Sequence, residues 1–388
     1  MSPARTRCPA KSNFPRITRM GAEKNPNIDG GIHNRQPGRM TSSSDLGFGI
    51  IGSGMIADYH ARAIADATGA KLIGVAGRNA ATAQALAEKH GAAFHTTDVA
   101  ALIARDDVQV LCITTPSGAH LEPALAAIAA GKHVVVEKPL EITVERVDAM
   151  LHAAQKNGVV VAPIFQARFG AGAQRIKAAI DAGRFGRLVL ASAYVKWFRQ
   201  PSYYQGWKGT LALDGGGATM NQAIHGIDLL QWFAGLPVEV SGQKTRRVHT
   251  GIEGEDTAVA ALRYANGALG TIEASTAAFP GWPRRIEICG EHGSVCLEDD
   301  TITRWDFREA QPEDEAIRRA AADTAMGSGA SDPKAISHQG HLRQIQDLVH
   351  HLRDGTPLGV NGPEARNAVA IIRALYASAE TGRPVAPA

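Results

Sequence analysis

Two glycines, Gly52 and Gly54, interrupt an apolar run just where a helix-like stretch begins. Residues 48–51 read as a short strand and residues 55–65 as the helix that follows. This order constrains the chain more than any other feature. One glycine allows a tight turn and the next lets backbone amides come close to a phosphate. The small Ala57 lets the helix lie against the strand with its N-terminus facing that phosphate. A strand before the glycines and a helix after them are the context that a dinucleotide-binding turn requires. Gly49, Gly52, Ser53, Gly54, Met55 and Ile56 are therefore the expected contacts with a dinucleotide.

The pattern around this turn repeats. Strand-like segments at 46–51, 71–76, 109–114, 133–136 and 159–163 alternate with helical stretches such as 80–90 and 122–130. Short apolar strands interleaved with helices predict a doubly wound parallel α/β sheet over residues 46–163. After Arg168 the texture changes. A helix at 173–182 precedes strand-like segments near 187–198, 237–248, 256–264, 268–276, 284–289 and 293–298, some of them separated by turns such as Asn266-Gly267. Consecutive strands with hairpin signals predict a second, α+β domain over residues 164–388, built on a mainly antiparallel sheet. One helix interrupts these strands, starting after Gly215-Gly216-Gly217, and two more, near 341–353 and 363–381, close the chain. The stretch 309–335 reads as a loop long enough to be a lid or a poorly ordered excursion.

Charge and cysteines exclude several classes of function. The net charge of +3 is uneven: residues 1–40 carry eight Lys or Arg against Glu23 and Asp29, or +6, which leaves the body at −3. Nothing in that body calls for nucleic acid. The basic segment lacks an apolar h-region, so it is read as a disordered extension over residues 1–45, or as an upstream start with Met40 the initiator. No apolar run approaches a membrane span. Four cysteines in 388 residues make no disulfide framework and fit a reducing cytoplasm. Cys289, His292 and Cys296 fall short of the four ligands of a structural zinc site, so no metal is expected.

Two further motifs carry chemistry. Residues 134–136 run into Glu137-Lys138-Pro139 at the end of the fourth strand, where ligands of such sheets sit. A lysine held between an apolar strand and a proline, whose bond can be cis, is an aimed lysine. Asn221 and His225, four apart after the glycine triplet, share a face if the segment is helical.

Taken with Thr115-Pro116 and His120, these motifs make the chain resemble the glucose–fructose oxidoreductase/inositol dehydrogenase/MocA family over residues 46–388. The resemblance implies a Rossmann domain and a C-terminal domain whose open sheet commonly mediates oligomerisation, here into a homodimer or homotetramer. It also implies nicotinamide-dependent oxidation or reduction of sugars, polyols or related cyclic compounds. Lys138 matches the catalytic lysine and His225 the catalytic histidine. Asn221 stands where many members carry Asp, and brings no negative charge to stabilise an imidazolium. Thr115, Pro116 and His120 are expected beside the dinucleotide and Glu137 beside the nicotinamide ribose, while Arg168, Tyr204, Trp207 and Lys208 are candidates for the substrate pocket. A cofactor-sensing regulator and a NAD-dependent eliminase of the same fold are the alternatives. At the end of the second strand, Gly77-Arg78-Asn79 lacks the acid that usually binds the ribose 2′-hydroxyl of NAD, and Arg78 can pair with a 2′-phosphate. NADP is therefore expected to be accepted and mildly favoured over NAD.

Overall fold

The structure, a computed structural model, describes residues 45–319, 330 and 337–388. The expected extension, up to residue 44, and residues 320–329 and 331–335 of the expected lid lie outside them. The described residues belong to one compact unit.

The first half builds a parallel sheet from β1 (Leu46–Ile51), β2 (Ala70–Ala76), β3 (Phe94–Thr96), β4 (Val110–Ile113), β5 (His133–Val136) and β6 (Val161–Pro163). Its spatial order is β3-β2-β1-β4-β5-β6, with every pairing parallel. Helices α1 (Met55–Asp66), α2 (Ala80–Lys89), α3 (Val99–Ile103), α4 (Leu121–Ala129) and α5 (Val144–Asn157) make the connections. All residues of β1 and β4 are buried, as expected of strands covered by helices on both faces. The strand order reverses between β2 and β4 on either side of β1, so the crevice beyond the ends of β1 and β4 is where such a sheet takes ligands. β3 was not read from the sequence, because Phe94-His95-Thr96 has no buried residue and no apolar run to mark it.

The second sheet has the order β13-β12-β11-β7-β10-β9-β8. Its strands are β7 (Leu188–Lys196), β8 (Glu239–Thr245), β9 (Thr257–Arg263), β10 (Leu269–Ser275), β11 (Arg285–Gly290), β12 (Gly293–Glu298) and β13 (Thr301–Phe307). Only the central β7–β10 pair is parallel. The strands alternate: Ala258, Ala260 and Leu262 of β9 are buried, while Val259 between them is exposed. The buried face meets α6 (Ala171–Asp181), α7 (Ile224–Ala234) and α10 (Gly362–Thr381), and the other face carries exposed Leu190, Val259 and Leu269. Within the expected loop, residues 314–319 form a helix, α8 (Asp314–Arg319). Asp314 at its start takes a two-pronged ion pair from Arg184 and a hydrogen bond from the Trp305 indole.

The remaining helix, α9 (Gln339–Asp354), departs from the expected division at residue 163. It packs on α1, and its Ile345, Leu348, Val349 and Leu352 share a core with Phe48, Ile50, Ile64 and Val75. Chain from beyond the second sheet thus completes the nucleotide-sheet half. Among the described residues no helix is long and apolar enough to cross a membrane.

Candidate active site

A cavity of about 730 Å³ opens over the ends of β1, β2, β4 and β5 and continues to α7 and the second sheet. At its nucleotide end the β1–α1 turn folds as the glycines dictate. Gly52 has φ +120°, and a Cβ there would stand 2.4 Å from Thr114 Oγ1. Gly54 caps α1 with open space in front of it and with no side chain bonded to the first turn. That leaves the positive end of a twelve-residue helix facing the cavity, and a pyrophosphate fits it. Ser53, Met55 and Ile56 line the cavity with Gly52 and Gly54. Gly49 does not: it lies inside β1 against Leu111 and Leu102, and its role is close packing rather than contact with a ligand. Arg78 is exposed on the cavity wall, beside Asn79, whose side chain caps α2. Thr115, Pro116 and His120 line the same region, with the two ring nitrogens of His120 each 2.9 Å from a backbone carbonyl, of Pro139 and Thr115.

Glu137 is more enclosed than its sequence position suggests. Its Oε1 accepts hydrogen bonds from His60 Nε2 of α1 at 3.0 Å and His341 Nε2 of α9 at 3.1 Å. Its Oε2 accepts from the Lys138 backbone N–H. Burial raises the carboxyl's pKa, but the two imidazoles outweigh it and hold the group well below the usual carboxylate range. These three side chains are also a set, among the described residues, close enough to share a metal ion, with donor atoms within 4.8 Å of one another. The two hydrogen bonds account for the same geometry. Neither histidine was singled out from sequence.

The Lys138–Pro139 bond is cis. Lys138 Nζ reaches across the cavity to donate to the Asn221 carbonyl at 2.8 Å. Burial lowers its pKa, as does the Arg199 charge. Asn221 belongs to a π-helical turn, Thr219–Ala223, which precedes α7. That turn starts close to a neighbouring chain segment: a Cβ on Gly217 would meet the Glu255 carbonyl at 1.8 Å. The Asn221 side chain turns to Asp214 rather than to His225. Its amide donates to Asp214 Oδ1 at 2.5 Å, and its oxygen accepts from the Tyr203 hydroxyl at 3.3 Å. Asp214 is buried, and burial raises its pKa to about 6 despite hydrogen bonds from Gly209 and Asn221. The charge that Asn221 lacks therefore lies one hydrogen bond away. His225 lines the cavity with its Nδ1 buried and without a hydrogen-bond partner. Burial drives its pKa well below the ordinary histidine value, helped by the charges of Lys138 and Arg284. It is a neutral imidazole at neutral pH.

Of the four expected substrate residues, Trp207 and Lys208 line the cavity. Lys208 stands 3.7 Å from the centre of the Tyr203 ring, and burial lowers its pKa to about 8. Arg168 does not line it. It is fully buried in a two-pronged pair with Asp228, at 2.8 and 2.7 Å, and a third contact with Glu364, tying α7 to α10. Tyr204 is also turned away, its hydroxyl on Thr276 and its ring against His249. The sequence reading missed Trp197, Arg199, Tyr203, Gln222 and Arg284, all on the cavity wall.

Comparison with known proteins agrees with this architecture. Residues 46–165 match the family described as "Oxidoreductase family, NAD-binding Rossmann fold", and residues 173–296 match the "GFO/IDH/MocA C-terminal domain". Inositol 2-dehydrogenase of Rhizobium meliloti is 25% identical over 87% of this chain and 98% of its own length. The 1,5-anhydro-D-fructose reductase of Ensifer adhaerens is 30% identical over 64% of this chain and 74% of its own. The crystal structure of the WlbA dehydrogenase from Bordetella pertussis in complex with NADH and UDP-GlcNAcA superposes with a TM-score of 0.80 at 32% identity, covering 89% of this chain and 98% of that one. The chain belongs to the Gfo/Idh/MocA family of oxidoreductases, and its first half is an NAD-binding domain.

Proposed function

We propose that this member of the family moves a hydride between a nicotinamide dinucleotide and a secondary alcohol carbon of a cyclic sugar or polyol. The carrying observation is the convergence, in one cavity with the open first turn of α1, of a neutral buried imidazole and a lysine from opposite walls. The relatives' names and bound ligands, an inositol, an anhydrofructose and a sugar nucleotide, support a cyclic polyol as the common substrate shape.

The dinucleotide supplies the hydride acceptor when bound. The chain's own residues handle the proton and the charge. His225, neutral because it is buried, accepts the hydroxyl proton as general base. Lys138 donates a hydrogen bond to the same oxygen and stabilises alkoxide charge as it develops. Asn221 fixes the lysine through its carbonyl, and Asp214 fixes Asn221. Glu137, clamped by His60 and His341, holds the end of β5 beside the cofactor. Trp207 and Lys208 border the sugar. Gly52, Ser53, Gly54, Met55, Ile56, Thr115, Pro116 and His120 border the dinucleotide, and Arg78 at the adenosine end favours NADP as an accepted cofactor. The exposed sheet face with Leu190, Val259 and Leu269 is the surface for a homodimer or homotetramer, which light scattering on the purified protein checks.

A panel of sugars, inositols and sugar nucleotides, read at the nicotinamide absorbance with NAD and with NADP, tests the activity. Turnover of at least one cyclic polyol that disappears in His225→Asn and Lys138→Met supports it. Cofactor binding with no turnover of any of them overturns it in favour of a sensor.

A further inference from the structure

Arg284 is a cation in the substrate end of the cavity that the mechanism above does not use. It immediately precedes β11 and is held by the turn after β12. Its backbone N–H donates to Asp299 Oδ1 at 3.1 Å and its Nη2 donates to the Asp299 carbonyl at 2.8 Å. Asp299 itself takes a left-handed conformation, φ +49°, and its N–H donates back to the Arg284 carbonyl at 2.7 Å. The aliphatic stem runs over Gly226, next to the proposed base: a Cβ on Gly226 would touch Arg284 Cδ at 3.4 Å. The turn thus fixes where the guanidinium points, which is into the cavity.

Its charge has no direct ion-pair partner among the described residues, although Asp299 and Asp300 line the same cavity. The Nε is buried and has no hydrogen-bond partner. Three acids are within electrostatic reach, Asp299, Asp300 and Asp228, and each is committed elsewhere. Asp228 is taken by Arg168. Asp300 caps α6 through the N–H groups of Ala171 and Gly172, and Asp299 accepts from the Arg284 backbone. Lys208, the other cation on the wall of this end, has an aromatic face and no ion pair among the described residues. A desolvated guanidinium with no directly paired carboxylate is unfavourable on its own. Its planar fork of donors is matched by a carboxylate.

We propose that Arg284 is the receptor for a carboxylate borne by the sugar ring, so that the substrate is an acidic sugar of the uronic type. Its place beside His225 favours an acid on the ring that reacts over a phosphate further along a nucleotide. The proposal rests on the cyclic-polyol reading above.

The test compares paired probes: D-glucuronate against D-glucose, and UDP-glucuronate against UDP-glucose. Each pair is measured by kcat/KM with NAD and by the melting shift of the NAD-loaded protein. The wild type should favour the acid in at least one pair by roughly 10–100-fold, the span of one hydrogen-bonded charge. Arg284→Met should collapse that ratio towards one, and Arg284→Lys should restore part of it. Equal treatment of acid and neutral probe by the wild type overturns the proposal. So does an Arg284→Met variant that lowers both alike, because that is what a structural arginine would do. If no probe is oxidised, the activity reading fails, and the melting shifts still decide whether Arg284 selects the acid. If Arg284→Met does not fold, Arg284→Lys carries the same comparison.

Discussion

Replacing Asn221 by Asp tests the geometry of the catalytic end most directly. A carboxylate at residue 221 would sit against Asp214 in place of the amide that now donates to it at 2.5 Å. Two ionised carboxylates about 3 Å apart repel by roughly 5 kcal/mol at an effective dielectric of about 20, equivalent to about four pKa units. The pair must therefore keep one proton through neutral pH and titrate as a unit. In the wild type the Asp214 carboxyl is already raised to about 6, so its extra native-state proton is lost as pH rises through that value. In Asn221→Asp one proton stays on the native pair above pH 6, whereas both acids are ionised in the unfolded chain, with pKa about 3.9. An acid whose folded pKa is raised loses stability as pH rises towards that pKa. The variant should thus fall behind the wild type by a slope that rises from about 0.7 kcal/mol per pH unit at pH 6 to about 1.4 at pH 8, or about 2.3 kcal/mol across the window. Urea unfolding of both proteins at pH 6, 7 and 8 measures this. Because the pair gains no charge near neutrality, the acidic limb of the oxidation profile, set by His225, should move by less than one unit. A stability gap independent of pH, together with a limb displaced upward by a unit or more, would mean that residue 221 faces His225 and not Asp214.

The catalytic pair gives a second test: His225→Asn should lower kcat by roughly 10²–10⁴-fold and Lys138→Met comparably, with NAD binding retained by fluorescence titration. The acidic limb of wild-type oxidation should lie below the ordinary histidine range, because burial lowers the His225 pKa; a limb at or above that range would contradict the assignment. Arg78→Ala should raise the KM for NADP and leave that for NAD little changed, and equal effects on both would remove Arg78 from cofactor choice. Arg168→Met should cost about 3–5 kcal/mol in unfolding free energy by leaving Asp228 buried and unpaired. Its folded fraction should keep the wild-type KM, and a selective rise in KM would return Arg168 to the substrate pocket.

What could be read from the sequence was what short-range physics determines. Gly52, Gly54 and Ala57 act within one turn, and Glu137-Lys138-Pro139 ends a strand whose apolar run is continuous in the chain. Both segments fold as read. Arg168 misled because its partners, Asp228 and Glu364, are 60 and 196 residues away, so a charged residue beyond a strand looked available to a ligand. The Asn221–His225 spacing assumed an α-helical turn, and the π-helical turn at Thr219–Ala223 directed the amide to Asp214 instead. His341 lies 204 residues from Glu137. The faint signal for it was a histidine on the buried face of an amphipathic helix, beside Gln344, Ile345 and Leu348.

The docking of α9 on α1 also bears on how the protein is made. The core of the nucleotide half includes Ile345, Leu348, Val349 and Leu352, and the Glu137 clamp is unfinished without His341. A ribosome releases residues 45–163 long before it reaches that helix. Amino-terminal domains ordinarily fold first during synthesis, but this one must wait with an apolar groove exposed until residue 354 has emerged. A gene fragment ending after β6 would encode that waiting state permanently. A compact nucleotide-binding module would have to be spliced from two stretches, 45–165 joined to 337–355, and its solubility compared with that of the first stretch alone would measure how much α9 contributes.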